Sequence, residues 1–129
     1  MSLQVNVIML GVKDVERAKA FYVDGLGCGV DQDYPGFVRV SLGEGSSMVA
    51  LYEWEAAAQD AGVRAEGSGF RGVSLHHITD SRDAVDEVMR AAEAAGGTVV
   101  KAAAAAQWGG YFGYFSDPDG YLWKVTTAD

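Results

Sequence analysis

The stretch GYFGYFSDPDGYLWKV, Gly110 to Val125, decides how this chain folds. Two aromatic-rich runs flank Asp117-Pro118-Asp119-Gly120. In such a tetrad Pro presets φ at the second turn position, Asp carboxylates accept from nearby amides, and Gly relieves strain at the end. The chain must reverse here, so the two runs are read as strands. Side chains alternate along a strand, which puts Leu122, Lys124 and Thr126 on one face and Trp123 and Val125 on the other. Whatever Lys124 faces bears on function. An ammonium placed inside a fold needs an anionic or hydrogen-bonding partner, or its pKa must fall.

Outward from this hairpin the chain shows an internal repeat of pattern. In the first half Val5 to Val12 is expected as a buried strand and Asp14 as a helix N-cap. Val15, Ala18, Phe21 and Tyr22 then form a helical stripe that stops near Gly25 and Gly27. In the second half Gly72 to Thr79 is the strand and Asp80 or Ser81 the cap. Val85, Val88, Met89, Ala92 and Ala95 form the stripe, stopped by Gly96-Gly97. Asp80 minus Asp14 and Val73 minus Val7 both give an offset of 66. Three strand candidates follow each helix: Gly29 to Gln32, Phe37 to Leu42 and Ser47 to Tyr52, then Thr98 to Lys101, Tyr111 to Phe115 and Tyr121 to Thr127. Trp54 to Asp60 is a candidate short helix, and Ala102 to Ala106 is expected to be extended or a single turn, since five residues do not nucleate a helix alone. The fold class is therefore α+β, with tandem βαβββ modules at about 4–53 and 70–128 and a connector at about 54–69, together one domain over residues 1–129.

Composition bounds the function. Lys and Arg total 10 against 18 for Asp and Glu, a formal net charge of -8 that opposes phosphate backbones, so no nucleic-acid partner is expected. No apolar run approaches the roughly 20 residues that span a bilayer, so no membrane partner is expected and a cytoplasmic location follows by default. Cys28 is the sole cysteine, which rules out an internal disulfide; it is read as buried and inert.

The tandem pattern, with LGVKDVERAKAFYVDGLG at Leu10 to Gly27 and YFSDPDGYLWKV at Tyr114 to Val125, resembles the vicinal oxygen chelate superfamily of glyoxalases, bleomycin-resistance proteins and extradiol dioxygenases. The resemblance implies mixed, curved sheets that form half-barrels with helices packed outside. It implies His or Glu metal ligands on the concave face, and a homodimer. Carried onto this chain, the ligand positions fall at Val7, Ala50, Val73 and Lys124. Two aliphatics, a methyl and an ammonium offer a divalent ion no electron pair, so no metal and no other cofactor are expected. His76 and His77 point to opposite faces of a strand and cannot chelate together. Only His77 shares the face of Val73 and Leu75, as a single metal ligand, as a hydrogen-bond partner and candidate base, or as a satisfied edge histidine, while His76 is expected under a helix or at the rim.

Parity assigns Met9, Met48, Tyr52, Leu75, Phe112, Tyr114 and Leu122 to the concave face beside His77 and Lys124, with Trp54 and Trp108 near its mouth. That list suits a pocket for a small organic molecule, aromatic or carboxylate-bearing; it also suits a filled core. Lys124 would meet a ligand anion, pair with an acidic residue of the chain, or reach solvent. Asp117 and Asp119 are read as turn formers. The expected function is metal-independent binding or sequestration of a small molecule, with Lys124 for an anionic group. The alternative is a glyoxalase-like lyase, isomerase or dioxygenase that uses His77, Tyr114 and Lys124 as its acid-base groups.

Overall fold

The computed structural model describes residues 5–71, 73–107 and 109–129. The chain runs β1 (Val7–Val12), α1 (Val15–Lys19, continued by wider π-helical turns over Ala20–Gly25), β2 (Gly29–Tyr34), β3 (Phe37–Ser41), β4 (Met48–Glu53), α2 (Trp54–Ala61), β5 (Ser74–Ile78), α3 (Arg82–Ala94), β6 (Thr98–Ala105), β7 (Tyr111–Ser116) and β8 (Leu122–Thr127). Two mixed four-stranded sheets result, ordered β1-β4-β3-β2 and β5-β8-β7-β6, and neither closes into a barrel. In each sheet one parallel pair, β1 with β4 and β5 with β8, joins two antiparallel pairs. This is the expected α+β tandem βαβββ arrangement. The chain divides into two compact units between Glu66 and Gly67. The expected strand start at Gly72 lies outside the described residues.

Capping sets the phase of each module. The Asp14 carboxylate accepts from the Arg17 amide at 3.1 Å, and the Ser81 hydroxyl accepts from the Ala84 amide at 3.0 Å. Ser81 minus Asp14 and Ala84 minus Arg17 both give 67, so the offset of 66 is corrected by one residue. The cause is that two capping residues, Asp80 and Ser81, stand side by side, and the hydroxyl of the second takes the amide. The strand pairing shows the same one-residue step, with Ser74 and not Val73 at the position that matches Val7, so every residue of β5 lies on the opposite face from the one expected.

The helix-facing sides are built alike. In the first unit Leu10, Val12, Val38, Val40, Val49 and Leu51 are buried with Ala18, Phe21 and Tyr22, the last two edge-to-face at 4.9 Å between centroids. In the second, Phe115 and Val125 are buried with Val85, Met89 and Ala92 of α3. Burying such side chains stabilises by about 1.5–3 kcal/mol each. The Asp117 turn closes as the sequence implies: its carboxylate accepts from the amides of Asp119 and Tyr121, each at 2.9 Å, and Gly120 takes φ of 88°. Arg71 lies 4.2 Å over the Tyr121 ring and donates to the Asp119 carbonyl at 2.5 Å, so the turn is also held from outside. Ala102 to Ala105 extend β6, as expected from their failure to nucleate a helix. Among the described residues no helix is long and apolar enough to cross a membrane.

Candidate functional site

Each sheet has a second face, turned away from its core, and register states which residues form it. Partners across neighbouring strands share a face. In the first unit Val7 pairs with Met48, Met9 with Ala50 and Gly11 with Tyr52. Phe37 pairs with Tyr52 and Arg39 with Ala50. Val7, Met9, Met48, Ala50 and Tyr52 thus share one open face, joined by Phe37 and Arg39, which parity reasoning on the hairpin had not reached. Phe37 and Tyr52 meet edge-to-face at 5.5 Å. Trp54 of α2 packs over Gly11, where an added Cβ would lie 3.5 Å from the indole. Its Nε1 donates to the Ala65 carbonyl at 2.7 Å, and the Lys13 ammonium sits 4.7 Å from its ring centroid. A recess of about 470 Å³ opens between Val7, Arg39 and Met48 and the Gly45–Ser47 turn. Arg39 is gripped by Asp31 at 2.7 Å.

In the second unit Lys124 pairs with Tyr114 on one side and with His76 on the other. Its Nζ lies 4.6 Å from the Phe112 centroid, and Phe112 meets Tyr114 edge-to-face at 6.1 Å. Leu122 shares this face with Ser74 and Ser116. Lys124, half-buried, therefore stands among rings on the open face, as the alternation of β8 implied. The expectation for β5 is corrected: Leu75 and His77 pair with Trp123 and Val125, on the helix-facing side, while Ser74 and His76 occupy the face of Lys124. The physical reason is the β5–β8 register, which sets His76 opposite Lys124 and His77 opposite Val125. Two residues enter this face that sequence reasoning did not place there, His76 and Lys101. His76 follows from the corrected offset. Lys101 does not: two register shifts in β6 flank it, and only the three-dimensional pairing sets it opposite Tyr114 with its Nζ 4.9 Å from the Phe112 centroid. The expected lining residue Trp108 lies outside the described residues.

Other candidates resolve locally. Cys28 is half-buried, not enclosed, and desolvation pushes its thiol pKa up, away from thiolate chemistry. Tyr111 faces the helix and donates to the Asp86 carboxylate at 2.6 Å. That hydrogen bond raises its pKa.

The chemistry of the metal positions is plain. Val7 and Ala50 donate no electron pair, and Lys124 brings positive charge. Replacing Val73 by its neighbour Ser74 adds only a hydroxyl. Among the described residues no group of three or more His, Cys, Asp or Glu side chains is placed to hold an ion. The residues at the family's four ligand positions do not themselves fit a divalent metal.

With this geometry in hand, comparison with known proteins is specific. A family model described as Glyoxalase/Bleomycin resistance protein/Dioxygenase superfamily matches residues 4–125. The chain belongs to that superfamily. A glyoxalase-related enzyme from Fulvimarina pelagi is 30% identical with a TM-score of 0.84, the match covering 96% of this chain and 87% of that one. A glyoxalase/bleomycin resistance protein/dioxygenase family enzyme from Burkholderia phytofirmans is 23% identical with a TM-score of 0.81, over 98% of this chain and all 100% of that one. A lactoylglutathione lyase from Agrobacterium tumefaciens is 22% identical with a TM-score of 0.69, over 96% and 92%. The last two likenesses show the fold alone. No curated protein matches this glyoxalase-superfamily chain.

Proposed function

We propose that this superfamily member binds a small aromatic molecule bearing an acidic group, by sequestration and without a metal ion. The reading is carried by Lys124, an ammonium 4.6 Å from the Phe112 centroid and beside Tyr114, on a face where the fold family's metal chemistry would need carboxylate or imidazole donors. Rings supply apolar contact area and the ammonium supplies orientation, the usual division of labour in a small-molecule pocket. Within the first unit, taken by itself, Met9, Tyr52 and Trp54 offer an aliphatic and aromatic surface for apolar contact. We propose a cytoplasmic homodimer, with light scattering of the purified protein as its check.

The experiment is a thermal-shift and tryptophan-fluorescence screen of aromatic acids, their neutral amides, and drugs, paired with elemental analysis of protein purified without chelator or added metal. The expected outcome is stabilisation by aromatic acids, lost in Lys124→Met, with no stoichiometric metal. A blank screen, or one zinc, iron or manganese ion per chain, would overturn the reading. Lyase or dioxygenase chemistry drawing on His77, Tyr114 and Lys124 together is disfavoured because His77 pairs with Val125 on the opposite face from the other two.

A further inference from the structure

The open face of the second sheet brings a nucleophile and a base into contact. Ser74 and His76 are two residues apart on β5, so they stand on the same face of that strand. The Ser74 hydroxyl lies 3.1 Å from His76 Nε2, within hydrogen-bond reach. A serine alcohol is a weak nucleophile by itself, and an imidazole nitrogen at this distance activates it by taking its proton as the oxygen attacks. Among the described residues this is the one side-chain bond that either of the two makes, so neither group is committed elsewhere. His76 is exposed and Ser74 half-buried, which leaves the pair open to solute. Strand β5 keeps unbroken register with β8 from Ser74 to Ile78, so the pair is carried by paired strand and not by a loop.

Two contrasts set this pair apart from ordinary structural hydroxyls. The other serine and threonine hydroxyls with described bonds serve the backbone. Thr79 donates to the Ser81 carbonyl at 3.0 Å, Ser46 donates to the Ser47 carbonyl at 3.2 Å, Ser47 donates to the Val5 carbonyl, and Ser81 caps α3. Ser74 meets an imidazole instead. The second contrast is with the repeated module: with the offset of 67, the positions of Ser74 and His76 correspond to Val7 and Met9 of β1, which are 39% and 44% exposed. The fold therefore accepts plain apolar side chains at both places, and packing does not account for a hydroxyl and an imidazole there.

We infer that Ser74 and His76 form a catalytic dyad that takes acyl groups from activated aryl esters and passes them to water. In the first step Ser74 Oγ bonds to the ester carbonyl carbon while its proton passes to His76 Nε2. The bond from that carbon to the aryl oxygen breaks, the imidazolium proton goes to the departing oxygen, and a phenol leaves an acyl ester on Ser74. In the second step His76 takes a proton from water as its oxygen attacks the acyl carbon, and returns that proton to Ser74 Oγ as the carboxylic acid departs. Water is the sole co-reactant. Leu122, the register partner of Ser74, offers apolar contact on the same face, and the rings of Tyr114 and Phe112 stand one strand farther on, which favours an aryl group on the ester. This activity goes beyond the proposed binding and does not depend on Lys124.

The test is incubation of the full chain with 4-nitrophenyl acetate, read by nitrophenolate release and by peptide mass spectrometry, and separately with a fluorophosphonate that modifies activated serines. The expected result is an initial burst of nitrophenolate, an acetyl group mapped to Ser74, and fluorophosphonate on the same residue. Ser74→Ala should abolish the burst and both adducts. His76→Ala should slow acylation about 100-fold, the range of general-base catalysis, and added imidazole should restore part of the rate. Ser46→Ala, which removes a backbone-bonded hydroxyl of the first unit, should keep the full burst. Ester hydrolysis that survives Ser74→Ala, with the acetyl group on His76 or a lysine, would show direct attack by a surface imidazole or amine and overturn the dyad. A Ser74 adduct that forms as fast in His76→Ala as in the parent, or no reaction with either probe, would overturn it too. The binding reading stands or falls separately, since it is read by Lys124→Met against aromatic acids.

Discussion

The two sheets have helix-facing sides of the same make and open faces of different chemistry. On the helix side both present buried aliphatic and aromatic residues, Val40 and Leu51 in one and Phe115 and Val125 in the other, because each helix must cover apolar surface to be stable. On the open side the first sheet carries Met9, Ala50, Tyr52 and Phe37 with a neutralised Arg39, while the second carries Lys101, Tyr114, Lys124 and His76. The lesson is that packing constrains one face of a repeated module and leaves the other to specialise. In this chain the specialisation is electrostatic.

The largest effect should separate the two kinds of face within one unit. Leu51→Ala empties a fully buried position and should cost about 2–5 kcal/mol, whereas Met9→Ala, at 44% exposure, should cost less than about 1 kcal/mol. Urea unfolding of both variants checks this, and equal losses would mean that the open face is packed like a core.

A second contrast sets two strand glycines side by side. A Cβ on Gly113 would lie 3.0 Å from each of the Lys101 carbonyl, the Ala103 amide and the Met89 methyl, whereas one on Gly11 would meet Trp54 at an ordinary 3.5 Å. Gly113→Ala should therefore cost about 1–3 kcal/mol through overpacking, and Gly11→Ala close to nothing. Thermal unfolding of the two variants checks this, and equal losses would mean that β6 gives way around an added methyl.

Smaller again, Asp14→Ala and Ser81→Ala should each cost about 1 kcal/mol, since each removes an equivalent cap. A silent Ser81→Ala beside a destabilising Asp80→Ala would move the working cap to Asp80 and leave the β5–β8 register as it is. Thermal unfolding of the three variants decides.

The smallest effect concerns alkaline pH. The hydrogen bond from Lys19 to Asp33 raises the lysine pKa above 10.5, and the bond from Tyr111 to Asp86 raises the tyrosine pKa above 10.0. For both groups the folded value exceeds the unfolded one, so their stabilising contribution is complete below the unfolded value and is lost as pH rises through the folded one. The unfolding temperature should decline above about pH 10, less steeply in Lys19→Met and Tyr111→Phe. An unchanged slope in Lys19→Met would show that the first unit draws no stability from that pair.

How much was legible before any coordinates depended on the range of the interaction involved. The Asp117 turn, the Asp14 cap, the helical stripes and the side of β8 on which Lys124 stands all rest on chemistry within about four residues, and each is written in the chain itself. The face of His76 was not legible because it is set by pairing with β8, and adjacent Asp80 and Ser81, both competent caps, left the alignment of the two modules open by one residue. Lys101 was beyond reach for a different reason: the register shifts on either side of it are defined by pairing with β7, so its face is set by a partner strand and not by its neighbours in sequence. Local order in this protein is thus encoded residue by residue, while the approach of lysines from β6 and β8 to the Phe112 ring of β7 arises from register across three strands, which no short segment contains.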